Sequence, residues 1–418
     1  MEKQSQSNSV SIFNIAVFVA ALGYFVDIYD LLLFTIVKKP SMLAVGSTTD
    51  SLLADSTRVL NWQMYGLLLG GIFWGVLGDK KGRLSVLFGS IILYSAANFF
   101  TAYVHSVDSY AWCRFIAGLG LAGELGAGIT LVSELLPKEK RGIGTSFVSG
   151  IGLLGAIVAF YTFKLTQDWR ICYIIGGALG ILLLFMRIKV AESGMFTSVK
   201  SDTGVSKGNF FMFFTNAKRF KKYILAILIG LPTWYAIGII INQSDHFGKE
   251  LFSSTTINSG EAIMFAYGGL SVGGITIGFV SQYFKSRKIA LMIFYSLFIL
   301  SLVFFFSPYN NSDTTMYIIS AILGFSTGLW AIFVTMGAEQ FGTNLRATAA
   351  TTIPNMVRGA LPLITMLFLY LYKNAPKDAL TPLSRSAIIT GIVVTTITLI
   401  ALYFTEETFH KDLDYTEE

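Results

Sequence analysis

The 418-residue chain is 53% hydrophobic and only 13% charged, with a mean hydropathy of +0.62. Soluble domains carry about 25% charged residues, so this composition cannot cover a water-facing surface and excludes a soluble enzyme or binding module. The net charge of +6 does not point to nucleic acid, because the basic residues fall in short connections between apolar stretches, where the positive-inside tendency accounts for them.

A helix needs about 20 apolar residues to cross a bilayer. The chain offers twelve such stretches: 11–37, 57–78, 84–104, 109–136, 143–164, 169–190, 222–245, 259–281, 289–308, 313–338, 348–372 and 384–404. The tail Met1–Val10 is polar, without a cleavage site, and eleven more spans follow the first, which therefore reads as an anchor and not a removable signal. Connections are short except for 191–221, a polar and basic linker that divides the chain into a first half, 1–190, and a second half, 222–418. Lys and Arg number 18 in the connections on the side of the termini and 9 on the other, which predicts cytoplasmic termini. Cys113 and Cys172 lie inside apolar spans without metal-ligand spacing, so neither a disulfide nor a metal site is expected.

Span 2 contains Tyr65–Arg83, YGLLLGGIFWGVLGDKKGR, and span 8 repeats its pattern. Gly66, Gly70, Gly71 and Gly75 recur 203 residues later as Gly269, Gly273, Gly274 and Gly278, again before a basic turn with Lys285, Arg287 and Lys288. Span 4 ends with Glu134 seven residues before Arg141, and span 10 with Glu339 seven residues before Arg346, at an offset of 205. Two agreeing offsets indicate a duplicated unit of about 200 residues. The expected fold is an all-α membrane protein with twelve transmembrane helices in two pseudo-symmetric six-helix halves.

Gly75-Val-Leu-Gly-Asp79-Lys80-Lys81-Gly82-Arg83 resembles the loop motif of the major facilitator superfamily between helices 2 and 3. Within that superfamily the chain is most similar to the metabolite–proton symporters, which include carriers of citrate, proline/betaine, shikimate and 2-oxoglutarate. The residues responsible are Arg114-Phe115, Gly118, Gly120 and Gly123-Glu124 on span 4, then Glu134, Pro137 and Arg141-Gly142, then Trp169-Arg170 and Glu192-Ser193. Two positions depart from the pattern. Asp27-Ile28-Tyr29-Asp30 stands where the branch has Glu-Trp-Tyr-Asp, and Gln282 stands where the second copy of the loop would align an Asp. The resemblance implies alternating access, with substrate bound between the halves. It also implies that Gly75, Asp79, Gly82 and Arg83 sit at the cytoplasmic face against the start of span 11. The partial positive charge of a helix N-terminus lets Asp79 latch the halves there, with Glu134, Arg141, Glu339 and Arg346 extending this cytoplasmic gate.

An ionisable side chain at mid-bilayer costs roughly 2.5–3.5 kcal/mol and by default faces protein or a wet cavity. Such residues are Asp27, Asp30, Arg114, Glu124 and Arg358. Asp27 and Asp30, three apart on span 1, share a face about 5–6 Å apart, and two carboxylates that close cannot both ionise easily. That suits a proton carrier, with a structural ion-pair network as the alternative. At 1.5 Å per residue, Asp30 lies about 10 Å and Arg114 about 8 Å from the outer ends of their helices, so the two can pair, as a helix 1 Asp and a helix 4 Arg do in the proton-coupled relatives. Asp30, Asp27, Arg114 and Glu124 are thus the proton-coupling candidates.

Arg358 lies between Pro354 and Pro362, in a helix whose broken hydrogen bonds suit a cavity wall. A lone buried Arg is a carboxylate or phosphate receptor; a permanent salt bridge to Glu124 is the other reading. Trp234, Tyr235, Asn242 and Gln243 near Pro232, with Tyr24, Trp330 and Asn355, complete the candidate substrate lining, each with packing as the alternative. His105 and His246 lie near the outer surface and His410 in the tail, and no Ser/His/Asp, HExxH or P-loop pattern suggests an enzyme.

The expected protein is a proton-driven importer of a small organic anion or zwitterion in a bacterial inner membrane. It would work as a monomer in the lipid bilayer, with small-molecule substrate and protons as partners and without nucleic acid, cofactor or metal. A proton antiporter exporting a drug-like or siderophore-like compound is the alternative, although Ser149-Gly-Ile-Gly-Leu-Leu-Gly155 on span 5 lacks the Gly-Pro signature of such antiporters. A non-transporting membrane sensor is the alternative of another class.

Overall fold

The computed structural model describes residues 14–136, 138–187, 209–342, 344–375 and 381–411, and among them contains helices and no strand. The side chains of Arg83, Glu134 and Arg141, and residues Pro137, Glu192 and Ser193, lie outside the described residues, as does much of the 191–221 linker. The first half consists of α1 (Ile15–Ala44), α2 (Leu52–Lys81), α3 (Arg83–Thr101), α4 (Val107–Leu121), α5 (Glu124–Leu135), α6 (Lys138–Leu153), α7 (Gly155–Thr166) and α8 (Trp169–Arg187). After the short α9 (Met212–Thr215), the second half consists of α10 (Ala217–Tyr235), a π-helical turn (Ala236–Ile241), α11 (Ser244–Phe252), α12 (Ser259–Phe284), α13 (Arg287–Phe305), α14 (Asp313–Thr327), α15 (Trp330–Glu339), α16 (Arg346–Gly359), α17 (Leu361–Lys373) and α18 (Pro382–Phe404).

These helices make twelve crossings, because α4/α5, α6/α7, α14/α15 and α16/α17 each form one broken span. Eleven are long and apolar enough to cross a membrane on length and composition. The twelfth, α2, has 30 residues, but Asn61, Gln63, its glycines and its charged ends dilute its apolar character. For the same reason α2 begins five residues before the apolar stretch that predicts it. Span 7 also differs from expectation. Pro232 leaves a carbonyl without its usual amide donor, the helix widens into a π turn in which Asn242 N donates to Ile237 O at 3.1 Å, and Ser244–Phe252 forms a separate helix beyond the span.

The duplication is visible in local chemistry. α4 opens with a Ser106/Ser109 capping box and α14 with Ser312/Thr315, each followed by an acid in the first turn, which satisfies otherwise orphaned amides. The repeated glycines set helix contacts. A Cβ on Gly66 would meet Phe115 O at 2.1 Å, and one on Gly269 would meet Ala321 O at 2.0 Å. Only glycine lets α2 approach α4, and α12 approach α14, at that distance.

The distribution of polarity is that of a protein in lipid. Phe73, Phe100, Leu165, Phe185 and Phe279 face outward, whereas Asp27, Asp30, Arg114, Arg187 and Arg358 are buried. At the end of the bundle where α1 begins and α18 finishes, α16 packs against the first half. A Cβ on Gly71 would stand 2.6 Å from Asn355 Cβ, and one on Gly126 would stand 2.1 Å from Thr351 Oγ1.

Candidate transport pathway

α1 carries Tyr24, Asp27 and Asp30 through the centre of the first half. Asp30 Oδ1 accepts from Arg114 at 3.1 Å, and both side chains have no exposed surface. The guanidinium also donates to Asn98 Oδ1 at 2.6 Å and Thr101 Oγ1 at 2.9 Å, and lies 4.5 Å from the Tyr173 ring centroid. Arg114 therefore keeps polar and aromatic partners if Asp30 is neutralised.

Glu124 takes a partner that sequence reasoning missed. Arg187, at the end of α8, donates to both of its oxygens at 3.0 and 2.7 Å, and Ser90 Oγ donates at 2.6 Å. Arg187 gives a further bond to Leu87 O at 2.9 Å. The permanent Glu124–Arg358 salt bridge weighed from the sequence is thus replaced by Glu124–Arg187. Gly23 makes room for it, since a Cβ there would stand 2.0 Å from the Arg187 guanidinium. In the sequence Arg187 lies near the end of span 6 and counts with the basic residues of the following connection; nothing local marks it as buried.

Arg358 faces this half from α16. It donates to Asn355 Oδ1 at 3.2 Å and lies 5.8 Å from the ring centroids of both Trp234 and Trp330. Its Nε, both oxygens of Asp27 and Trp234 Nε1 are buried without hydrogen-bond partners among the described residues. Asp27 and Tyr24 lie within electrostatic reach of Arg358, and Tyr24 adjoins Trp330. Tyr24, Asp27, Trp234, Trp330 and Arg358 are thereby brought together. Asn355 braces this cluster, donating to Ala122 O across the halves at 2.8 Å. Tyr235 turns away, its hydroxyl donating to Ala387 O of α18 at 2.6 Å. Asn242 and Gln243 sit beyond the π turn, buried with unpaired side-chain oxygens.

Hydrogen bonds join the two halves on either side of this cluster. At the end where α1 begins and α18 finishes, Asp79 accepts from Thr348 N at 2.9 Å and from Thr348 Oγ1, filling one orphaned first-turn amide of α16. Gly82 supplies the positive φ, 102°, that lets α2 turn into α3. Arg346 opens α16. Among the described residues Glu339 pairs inside its own half, with Arg287 at 3.0 Å. At the opposite end, Lys38 of α1 is 3% exposed and crosses to the second half. It donates to Asn242 O at 2.7 Å, with Asp245 Oδ1 and Ser259 Oγ each at 3.4 Å. Burial opposes the charge of Asp245, but Lys38, His246 and a Ser259 hydrogen bond outweigh it and hold the group below the usual carboxylate range. In the sequence Lys38 counts only as a loop charge.

Three acids (Asp27, Asp30, Glu124) and three arginines (Arg114, Arg187, Arg358) buried inside crossing helices, a polar and aromatic cluster where the two halves meet, and hydrogen bonds between the halves at each end describe a carrier. The sequence profile of the Major Facilitator Superfamily matches residues 9–366. The chain belongs to the major facilitator superfamily. It is 24% identical to a gentisate transporter of Corynebacterium glutamicum, over 77% of this chain and 73% of that one. It is also 24% identical to the sialic acid transporter NanX of Escherichia coli, over 82% and 83% of the two chains. A crystal structure of the proton:xylose symporter XylE superposes with a TM-score of 0.71 at 16% identity, covering 96% of this chain and 97% of that one. This superfamily member is an integral membrane transporter of small metabolites, and not an enzyme.

Proposed function

We propose that this transporter couples inward movement of protons to uptake of a small organic anion or zwitterion, by alternating access between the halves 1–190 and 222–418. The observation that carries the reading is the wholly buried Asp30–Arg114 pair. A carboxylate that can accept a proton while its arginine retains Asn98, Thr101 and the Tyr173 face forms a local switch, and such charge changes bias two-state carriers. Asp27 lies one turn away as a second proton-holding group, while Glu124, engaged bidentately by Arg187, serves as a fixed internal pair. Arg358 receives the acidic group of the substrate, supported by its unpaired Nε and by relatives named for two carboxylic acids, gentisate and sialic acid. Orientation follows the basic connections: the termini and the Asp79 latch face the cytoplasm of a bacterial inner membrane, and Lys38 faces the exterior. The working unit is the monomer.

Proteoliposomes containing a pH-sensitive dye test this. Adding gentisate or nicotinate outside wild-type vesicles is expected to carry protons inward, and an imposed pH gradient is expected to drive accumulation. Asp30→Asn is expected to lose accumulation yet keep exchange of labelled carboxylate. Wild-type accumulation by Asp30→Asn would move the proton to Asp27, and proton movement opposite to the carboxylate would make the protein an antiporter.

A further inference from the structure

We infer that the buried cluster around Arg358 selects a flat aromatic ring bearing a carboxylate, with Trp234, Trp330, Tyr24 and Tyr267 reading the ring. This rests on the reading of Arg358 as the receptor for an acidic group.

A buried arginine needing only neutralisation would take the nearest acid. Here Glu124 belongs to Arg187, and Asp27 makes no hydrogen bond to Arg358 among the described residues. The guanidinium instead has one amide partner, Asn355, and two indoles at equal distance, 5.8 Å. Its Nε edge remains unpaired and suits an oxyanion. Tyr24 stands by Trp330 and Arg358, and Tyr267 lies within electrostatic reach of Tyr24, Arg358 and Asp27. All four aromatic side chains are 3–5% exposed.

They come from four elements, α1 and three helices of the second half, so the wall is complete only when the halves are together. The sequence makes room for it: a Cβ on Gly152 would stand 2.1 Å from Tyr24 Cδ1. Aromatic faces reward a planar ring through stacked or edge contacts. They offer little to a polyhydroxylated ring, whose hydroxyls would be buried without partners. The unpaired oxygens of Asp27 and the unpaired Trp234 Nε1 provide one acceptor group and one donor for a ring substituent, such as a hydroxyl or ring nitrogen.

The test uses purified full-length protein and measures affinity for benzoate, nicotinate and gentisate against cyclohexanecarboxylate and benzamide. Cyclohexanecarboxylate keeps the charge and approximate size of benzoate but not its flatness; benzamide keeps the ring and loses the charge. The aromatic acids are expected to bind roughly tenfold or more tighter than cyclohexanecarboxylate. Trp330→Leu is expected to remove most of that gap, with Trp330→Phe intermediate, and Trp234→Leu to act likewise. Equal affinity for benzoate and cyclohexanecarboxylate, or no binding by any of the three aromatic acids, overturns the inference. Benzamide binding as tightly as benzoate overturns the underlying reading of Arg358 instead. A gap unchanged in both leucine variants would show that the ring is read elsewhere and also overturns it.

Discussion

Among the described residues Arg114, Arg187 and Arg358 are almost wholly buried inside crossing helices, and their partners separate their roles. Arg114 and Arg187 each hold a carboxylate, at 3.1 and 2.7 Å, whereas Arg358 holds an asparagine amide between two indoles. An ion already paired gains little from a substrate anion; an unpaired one gains a charged hydrogen bond, about 1.5–3 kcal/mol. Arg358→Lys keeps the charge but loses the planar fork, so binding of gentisate or nicotinate is expected to weaken roughly ten- to a hundredfold at 1.4 kcal/mol per decade, with the melting temperature little changed. Unaltered affinity would remove Arg358 from the binding site. Arg187→Met is expected to behave oppositely. Removing one partner of a buried pair leaves Glu124 uncompensated, at about 3–5 kcal/mol, so thermal unfolding should fall sharply and recover partly in Arg187→Met/Glu124→Gln. No recovery in the double variant would mean that Arg187 acts through more than this pair.

At the scale of elements, side chains from elsewhere in the chain satisfy helix starts. Asp79 satisfies the start of α16 from the other half, and Glu407 does the same for α13, accepting from Arg287 N at 2.9 Å and Lys288 N at 3.1 Å. Those amides and the Ser286 hydroxyl outweigh partial burial and bring the Glu407 pKa down from 4.5 to about 2. Because folding lowers this pKa, its contribution is complete above about pH 4.5 and is lost as the pH falls toward 2. Glu407→Ala is expected to destabilise by about 0.5 kcal/mol at neutral pH, near the low end for caps because the carboxylate is exposed. Melting curves should show the difference from wild type shrinking below pH 4.5; a difference constant in pH would mean packing, not capping.

For the whole molecule, hydrogen bonds join the two halves on both sides of the Arg358 cluster, and each set is expected to bias the carrier in its own direction. With Cys113 and Cys172 replaced, reporter cysteines at Thr351 and Gln243 sample the two sides. Asp79→Asn is expected to raise thiol labelling at position 351 and lower it at 243, and Lys38→Met to do the reverse. Both variants moving the two reporters in the same direction would exclude opposed gates. The Asp245 carboxylate is held below its ordinary range by Lys38, so the Lys38 latch should persist through neutral pH and weaken only in acid. By itself the sequence determined the membrane class, the twelve crossings, the duplication and the five charges inside the spans. Hydropathy and repeat spacing are properties of short windows, and a charge in the middle of an apolar span stands out in them whatever it touches, whereas Arg187 and Lys38, buried near helix ends, do not. It also marked Asp30 and Arg114 as able to meet, because depth along a helix is counted in residues. The tertiary structure alone decided the other pairings. Glu124 and Arg187 are 63 residues apart, and Lys38 and Asp245 are 207 apart. Which way each side chain turns follows from how closely the glycine faces let helices approach and rotate, and a linear pattern does not carry that rotation.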